Sequence, residues 1–470
     1  MSMTDLGFLF VFLPAALLLY LLPGKRVKQM VLLAVSLVFY AAGSRFHLAL
    51  ILLLTGMDVL LSALLVKMSA KGSRKVLLWA GVGVHLAVLI FYKYFSALPV
   101  VTAIFGEQSG LTFVNLAMPL GLSFFTFKAI SLLADCYRGR VTEEDPLRAA
   151  LYLTFFGQIQ SGPLSRYSDM DSCAGGKERL SLFGNGMYRF LCGFSKKILL
   201  ANVLAKVTGE VFAAPQADMS VSLAWLGAVC YSLQLYFDFS GYSDMAVGVS
   251  NLFGYQCPEN FNYPYMTASI AEFWRRWHMT LGAWFRDYIY IPLGGSRVGR
   301  ARLYFNLFAV WLLTGIWHGS TWAFVFWGLT YFVLIALEKT LDLPGRLKQR
   351  WARMLYRIPV LLLINFEWVI FRAGDLKAGL RFIRNMLPGV VNPLADFRAA
   401  FLLRDNLFFI IAAVLLCFPI VPAVQRRCEK NAAAETVWNV VQIVVLAVLF
   451  IWSVSFVVAG QNNPFAYANF

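Results

Sequence analysis

A succession of apolar blocks, several reaching the ~20 residues that cross a bilayer as a helix, leaves this chain few ways to fold. The blocks run approximately over residues 6–23, 30–43, 47–66, 76–95, 113–135, 148–161, 184–205, 222–237, 303–317, 321–340, 356–371, 405–424 and 437–459. In lipid only helices or closed barrels satisfy the backbone polar groups, and the run lengths and leucine content select helices. The expected fold class is therefore an all-α polytopic membrane protein. Blocks 148–161 and 303–317 are short for a full crossing, so about ten to twelve transmembrane helices are expected, with re-entrant or partly buried helices beside them. No repeat, linker or low-complexity segment divides the chain, and residues 1–470 read as a single membrane-embedded domain.

The sequence is 59% hydrophobic and 14% charged, yet its formal net charge is +16. Much of that excess lies in short loops: Lys25, Arg26 and Lys28; Lys67, Lys71, Arg74 and Lys75; Arg346, Lys348, Arg350 and Arg353. Such loops mark the cytoplasmic side, with anionic lipid headgroups as neighbours, and the charge is not a nucleic-acid patch. The cysteines at 136, 173, 192, 230, 257, 417 and 428 form no C-x-x-C pair and predict unpaired thiols without a structural metal. Met1 to Asp5 lack the basic region of a cleaved signal peptide, so the first block is expected to be a retained span with its amino end outside.

Residues 238–302 differ from the rest, because polar and aromatic residues interleave too densely for lipid contact. They are expected to pack inside the protein or line a cavity, and the catalytic region is placed at approximately 230–330. Asp238-Phe239-Ser240-Gly241-Tyr242-Ser243-Asp244 gathers carboxylates, hydroxyls and a phenol at the end of one block. Asp238, Ser240, Tyr242 and Asp244 suit either a hydrophilic path or structural hydrogen bonding. His318 lies in Gly315-Ile316-Trp317-His318-Gly319 between two apolar runs, where an ionisable side chain is expensive to keep. An imidazole can take a proton from a hydroxyl near pH 7 when a pocket fixes that oxygen within reach, and Gly315 and Gly319 are expected to leave room for a substrate. His278, closing Phe273-Trp274-Arg275-Arg276-Trp277-His278, suits chemistry or an interfacial helix equally. His47 and His85 read as structural. Arg286, Asp287 and the turn Pro292 to Arg297 could hold the phosphates of a nucleotide-like donor or an acidic carrier protein, or could fix topology as a plain basic loop. No seryl-hydrolase elbow, Walker loop, H-E-x-x-H or dinucleotide fingerprint is present, and no tightly bound cofactor or metal is expected. Buried histidines and aspartates also build proton relays. A proton-coupled transporter or flippase in polymer export is therefore the alternative, though no internal repeat supports it.

Four stretches carry a family resemblance that covers nearly the whole chain: Gln234 to Ala246, Glu272 to His278, Trp284 to Gly295 and Gly315 to Gly319. By these the chain resembles the membrane-bound O-acyltransferases, and within them the branch of bacterial polysaccharide O-acetyltransferases that includes the alginate acetylation membrane protein. The resemblance implies a ring of helices around a central tunnel, with His318 deep inside and His278 nearer the cytoplasmic mouth. Trp274, Arg275, Arg276, Arg286, Asp287 and Trp317 would then bind the donor or line the tunnel. His318 would act as general base or polarise the acceptor hydroxyl, and His278 would position the thioester or the developing charge. The branch implies a multi-pass protein of the bacterial cytoplasmic (inner) membrane that takes acetyl from a cytoplasmic thioester, acetyl-CoA. The acyl group would serve O-acetylation of an extracytoplasmic polysaccharide, whether an alginate-like exopolysaccharide, peptidoglycan or cellulose, with an exported SGNH-like acetyltransferase as partner.

The carboxyl end, Pro464-Phe465-Ala466-Tyr467-Ala468-Asn469-Phe470, resembles the F-x-Y-x-x-F ending used in this branch. That resemblance implies that Tyr467 receives the acyl group as a phenolic nucleophile; an aromatic tail anchored at the interface is the plainer role. Arg426, Arg427 and Lys430 put the loop before the last span inside and Tyr467 outside. Glu367 departs from the family pattern and is expected to pair with Arg372.

Overall fold

The computed structural model describes residues 1–95, 98, 101, 117–170, 177–347, 349–389 and 392–463. Among them the regular structure is helical, with no β-strand. The helices are α1 (Leu13–Leu19), α2 (Lys25–Ser44), α3 (Leu48–Lys67), α4 (Lys71–Ile90), α5 (Leu122–Tyr137), α6 (Pro146–Thr154), α7 (Lys177–Ser195), α8 (Asn202–Phe212), α9 (Val221–Leu252), α10 (Ile270–Arg276), α11 (Met279–Phe285), α12 (Arg300–His318), α13 (Trp322–Leu341), α14 (Leu343–Arg346), α15 (Arg350–Ala373), α16 (Leu376–Asn385), α17 (Phe397–Leu416), α18 (Ile420–Cys428) and α19 (Ala432–Val458). Six helical stretches among the described residues are long and apolar enough to cross a membrane: Lys25–Lys67, Lys71–Phe95, Trp322–Leu341, Arg350–Ala373, Phe397–Leu416 and Ala432–Val458. The first apolar block makes a shorter stretch, Phe8–Leu19. The chain is a multi-pass, all-helical membrane protein. Its described cysteines are all free thiols; Cys173 lies outside the described residues.

The chain packs as two compact units. One comprises the described residues of Met1–Phe190 and Ser243–Glu259, the other those of Leu191–Tyr242 and Asn260–Ala466, with boundaries inside α7, inside α9 and after Glu259. In the first unit Phe8, Phe12, Phe39 and Phe156 form an aromatic core with ring centroids 5.3–6.3 Å apart. Ionisable groups buried there need partners, because an unpaired charge in an apolar interior is costly. His85 Nε2 lies 2.7 Å from Asp58 Oδ1, with both side chains fully buried. Lys128 donates to the Tyr152 carbonyl at 3.2 Å and to Gln158 Oε1 at 3.0 Å.

Glycines let helices approach closely, as is common in membrane packing. In the first unit a Cβ on Gly248 of α9 would come within 2.7 Å of the Gly186 carbonyl of α7. In the second, a Cβ on Gly241 would come within 2.8 Å of the Gly193 carbonyl. The close approach at Gly241 accompanies the ion pair between Lys197 and Asp238, both buried.

In the second unit α12 and α13 form a helical hairpin, and α15 packs along α13. Asn365 of α15 donates to the Ala228 carbonyl at 2.9 Å and to Ser232 Oγ at 2.7 Å on α9. Helix α19 buries only Ser453 among its residues, as suits a helix facing lipid.

Candidate active site

His318 is the last residue of α12 and is 4% exposed. Three rings enclose its imidazole: Trp317 at 4.5 Å, Trp327 at 5.0 Å and Phe371 at 5.2 Å, the last two edge-on. Edge-to-face contact is a preferred aromatic geometry, so α12, α13 and α15 each contribute one wall. Trp327 is fully buried and continues the wall to Trp274, Tyr331 and Trp368, at 5.6, 5.2 and 6.1 Å.

The glycines beside His318 have a different use from the expected one. A Cβ on Gly315 would lie 2.6 Å from the Phe324 carbonyl, and one on Gly319 would overlap the Phe324 ring. On the facing helix, a Cβ on Gly328 would lie 2.5 Å from the Trp311 carbonyl and 3.1 Å from the Gly315 Cα. The space that glycine leaves is filled by α13, which brings Trp327 onto the imidazole, so Gly315 and Gly319 do not hold a substrate pocket open. Gly328→Val should force the hairpin apart at a cost of about 1–3 kcal/mol, typical of overpacking. A fall in the unfolding midpoint of the detergent-solubilised protein checks this, with Gly83→Ala as an unaffected control, since nothing lies within 4 Å of a Cβ at Gly83.

His278 sits between α10 and α11 with φ 44°, in the left-handed region that non-glycine residues seldom adopt. Strain of this kind costs about 1–3 kcal/mol and concentrates at functional sites. Asn260 holds it there. The Asn260 carbonyl accepts the Met279 N–H at 2.9 Å, and its Oδ1 accepts Thr280 Oγ1–H at 2.8 Å and Thr280 N–H at 3.3 Å. A backbone N–H can only donate, so the atom facing Thr280 is the amide oxygen, and His278 Nδ1, 3.1 Å from the same oxygen, must carry a proton. Burial pushes the pKa of His278, which lies outside the long apolar spans, down to about 3. The ring is therefore neutral near pH 7, with its lone pair on Nε2. Phe239 of α9 packs edge-on against this ring at 4.6 Å.

The two histidines are linked through aromatic contacts. Trp277, next to His278, lies 4.9 Å from Trp368, and Trp368 lies 5.7 Å from Phe371, a wall of the His318 cage. α10, which carries Trp274, is fixed at its N-terminus by Glu338 of α13. The carboxylate accepts the Ile270 and Ala271 N–H groups at 2.7 and 2.9 Å and the Tyr356 hydroxyl at 2.9 Å. A buried carboxylate at a helix N-terminus satisfies donors that the helix itself leaves open.

The other expected residues divide. Asp238 is buried in its ion pair with Lys197, and Ser240 and Tyr242 are interior. Asp244 belongs to the first unit, where Arg189 bridges it, at 2.6 Å, to Glu259, at 2.7 Å. Arg275 is exposed, Arg276 pairs with Glu272 at 2.8 Å, and Arg286 pairs with the adjacent Asp287 at 2.8 Å. Arg372 does not pair with Glu367: its guanidinium lies over the rings of Phe212 and Tyr231, at 5.5 and 6.0 Å, while Glu367 is buried. Tyr467 lies outside the described residues. Among those residues no cluster of His, Cys, Asp or Glu is placed to hold a metal ion. Sequence reasoning missed Asn260, Lys197 and Glu338. Glu338 and Lys197 gave a signal, each being an ionisable residue inside an apolar run.

The described residues thus form a helical, multi-pass membrane protein with a buried, ring-enclosed histidine at the end of α12. Residues 44–378 match the model of the membrane-bound O-acyltransferase family, MBOAT, and the chain belongs to that family. It is 34% identical to the probable alginate O-acetylase of Pseudomonas putida over 98% of this chain and 99% of that protein. It is 29% identical to a peptidoglycan O-acetyltransferase of Helicobacter pylori, over 98% of this chain and 96% of that one. With a teichoic acid D-alanyltransferase of Bacillus subtilis it shares 32% identity over 55% of this chain and 68% of that protein. The protein is an acyltransferase.

Proposed function

We propose that this acyltransferase moves acetyl from acetyl-CoA, bound at the cytoplasmic face of the bacterial inner membrane, toward an extracytoplasmic polysaccharide. The observation that carries the reading is the enclosed His318, joined by an aromatic wall to a His278 whose Nε2 is an acceptor. His318 takes the proton of the attacking hydroxyl, and His278 positions the thioester as its carbonyl gains charge. The six span candidates, together with shorter helices, would make up ten to twelve crossings and re-entrant segments around a tunnel. Relatives that acylate alginate and peptidoglycan, and one that handles teichoic acid, support an envelope polymer as the destination.

Tyr467 is the proposed intermediate carrier. Its phenolic oxygen attacks the thioester carbonyl, the C–S bond breaks, and CoA leaves as the thiol with the phenolic proton. An exported SGNH-like partner then moves the acetyl from tyrosine to the polymer. Membrane vesicles supplied with radiolabelled acetyl-CoA test this step. Label on the wild-type protein that disappears in Tyr467→Phe is the expected result, and label retained in Tyr467→Phe would move the acceptor elsewhere.

A further inference from the structure

Spans α15 and α17 fix the side of the segment between them. Arg346 precedes α15, Arg350 and Arg353 lie in its first turn, and Arg426, Arg427 and Lys430 follow α17. Two basic clusters separated by two spans share one side, cytoplasmic by the positive-inside rule, which puts residues 374–396 on the other. That segment breaks the rule. Its helix α16 carries Lys377, Arg381 and Arg384, all exposed, spaced i, i+4 and i+7 and so aligned on one face. Like charges at these spacings repel. The acid nearest in sequence, Asp375, is engaged as the N-cap, accepting the Ala378 N–H at 2.8 Å.

The opposite face of α16 is locked down. Gly379 and Phe382 are buried, Phe382 stacks on Phe212 at 4.3 Å, and Asn385 donates to the Gln216 carbonyl at 2.7 Å. The cationic ridge therefore points away from the protein. Exposed Leu380 and Leu387 lie to one side of it, roughly a quarter turn away. This is the arrangement of a helix whose leucines meet lipid while its cations face water. α16 follows directly on α15, whose Phe371 ring lies 5.2 Å from His318.

We propose that this ridge docks an acidic polysaccharide bearing a carboxylate on successive sugars, and holds it beside the extracytoplasmic exit of the His318 site. The three cations step along the helix by roughly 6 and 4.5 Å, the scale of one sugar residue in an extended chain, so neighbouring carboxylates can each meet one. The proposal rests on the transfer reading above and narrows its acceptor to a uronic-acid polymer.

The test uses the full chain in nanodiscs of neutral phosphatidylcholine and measures binding of oligouronate against neutral dextran. Wild type should bind oligouronate, not dextran, and lose it as salt rises. The triple variant Lys377→Gln, Arg381→Gln, Arg384→Gln should bind at least ~10-fold more weakly, a loss of about 1.4 kcal/mol, with an unchanged unfolding midpoint. Arg381→Lys keeps the charge and should keep binding. Equal binding by the triple variant would overturn the proposal. So would a ridge that binds only phosphatidylglycerol headgroups when that lipid is added to the nanodiscs. The transfer reading fails separately, if wild type consumes no acetyl-CoA whatever the polymer does.

Discussion

His318→Ala should lower acyl transfer by ~10³-fold, about 4 kcal/mol of transition-state stabilisation, the range expected when a positioned acid–base group is removed. Alanine would also leave a hole between Trp327 and Phe371, whose rings stand 5.0 and 5.2 Å from the imidazole. Cavities of that kind destabilise by themselves, by about 2–5 kcal/mol for large-to-alanine changes in a core. His318→Gln separates the two effects, because it largely fills the volume and cannot act as a base. Transfer should fall nearly as far in the glutamine variant while the unfolding midpoint falls less. If either variant retained more than a tenth of wild-type transfer with its fold intact, proton removal by His318 would not be the central step.

The second large effect is expected at Asn260, through His278. Asn260→Leu removes the oxygen that three donors share, from His278 Nδ1 and from the Thr280 N–H and hydroxyl. Transfer should drop ~100-fold, on the scale of general acid–base contributions, as the imidazole loses the acceptor that fixes its tautomer and Thr280 loses both side-chain contacts, while the main-chain bond to the Met279 N–H remains. Asn260→Asp keeps the acceptor and adds a negative charge, which makes the pH profile informative. In the wild type burial holds the pKa of His278 at about 3, so the ring is neutral across the ordinary pH range. A carboxylate beside it favours the imidazolium and raises that pKa. Activity that needs the neutral ring is then lost at higher pH than in the wild type, and the acid limb of the rate profile moves up. An unmoved profile in Asn260→Asp, with full activity in Asn260→Leu, would reduce Asn260 to ordinary packing.

Much of the fold was legible because apolar run length is a local property. The blocks read at 47–66, 321–340 and 437–459 correspond closely to α3 (Leu48–Lys67), α13 (Trp322–Leu341) and α19 (Ala432–Val458). The misreadings fall where a distant partner changes what a polar residue costs. The apolar block at 222–237 stops at Asp238, yet α9 continues to Leu252, since Lys197 pairs with that carboxylate and glycines carry the helix against α7. The apolar block at 405–424 begins after Arg404, whereas α17 starts at Phe397 behind an Asp396 N-cap, with Arg398 paired to the distant Glu210 at 3.2 Å. In the site, His318 and His278 stood out as rare ionisable residues in apolar surroundings. Asn260 did not, because its role depends on a contact with His278 that periodicity cannot reveal. Gly315 suggests space for a substrate in the sequence, because the identity of what fills a glycine's vacancy, here the Phe324 backbone, is a tertiary fact.

The most direct measurement is made on purified protein in sealed proteoliposomes, with acetyl-labelled CoA thioester outside and a hydroxyl acceptor trapped inside. His318-dependent loss of thioester, with label recovered as an oxygen ester on the protein or the trapped acceptor, is the predicted result. Equal thioester consumption by wild type and His318→Gln, or movement of solute across the bilayer with the thioester intact, would contradict it.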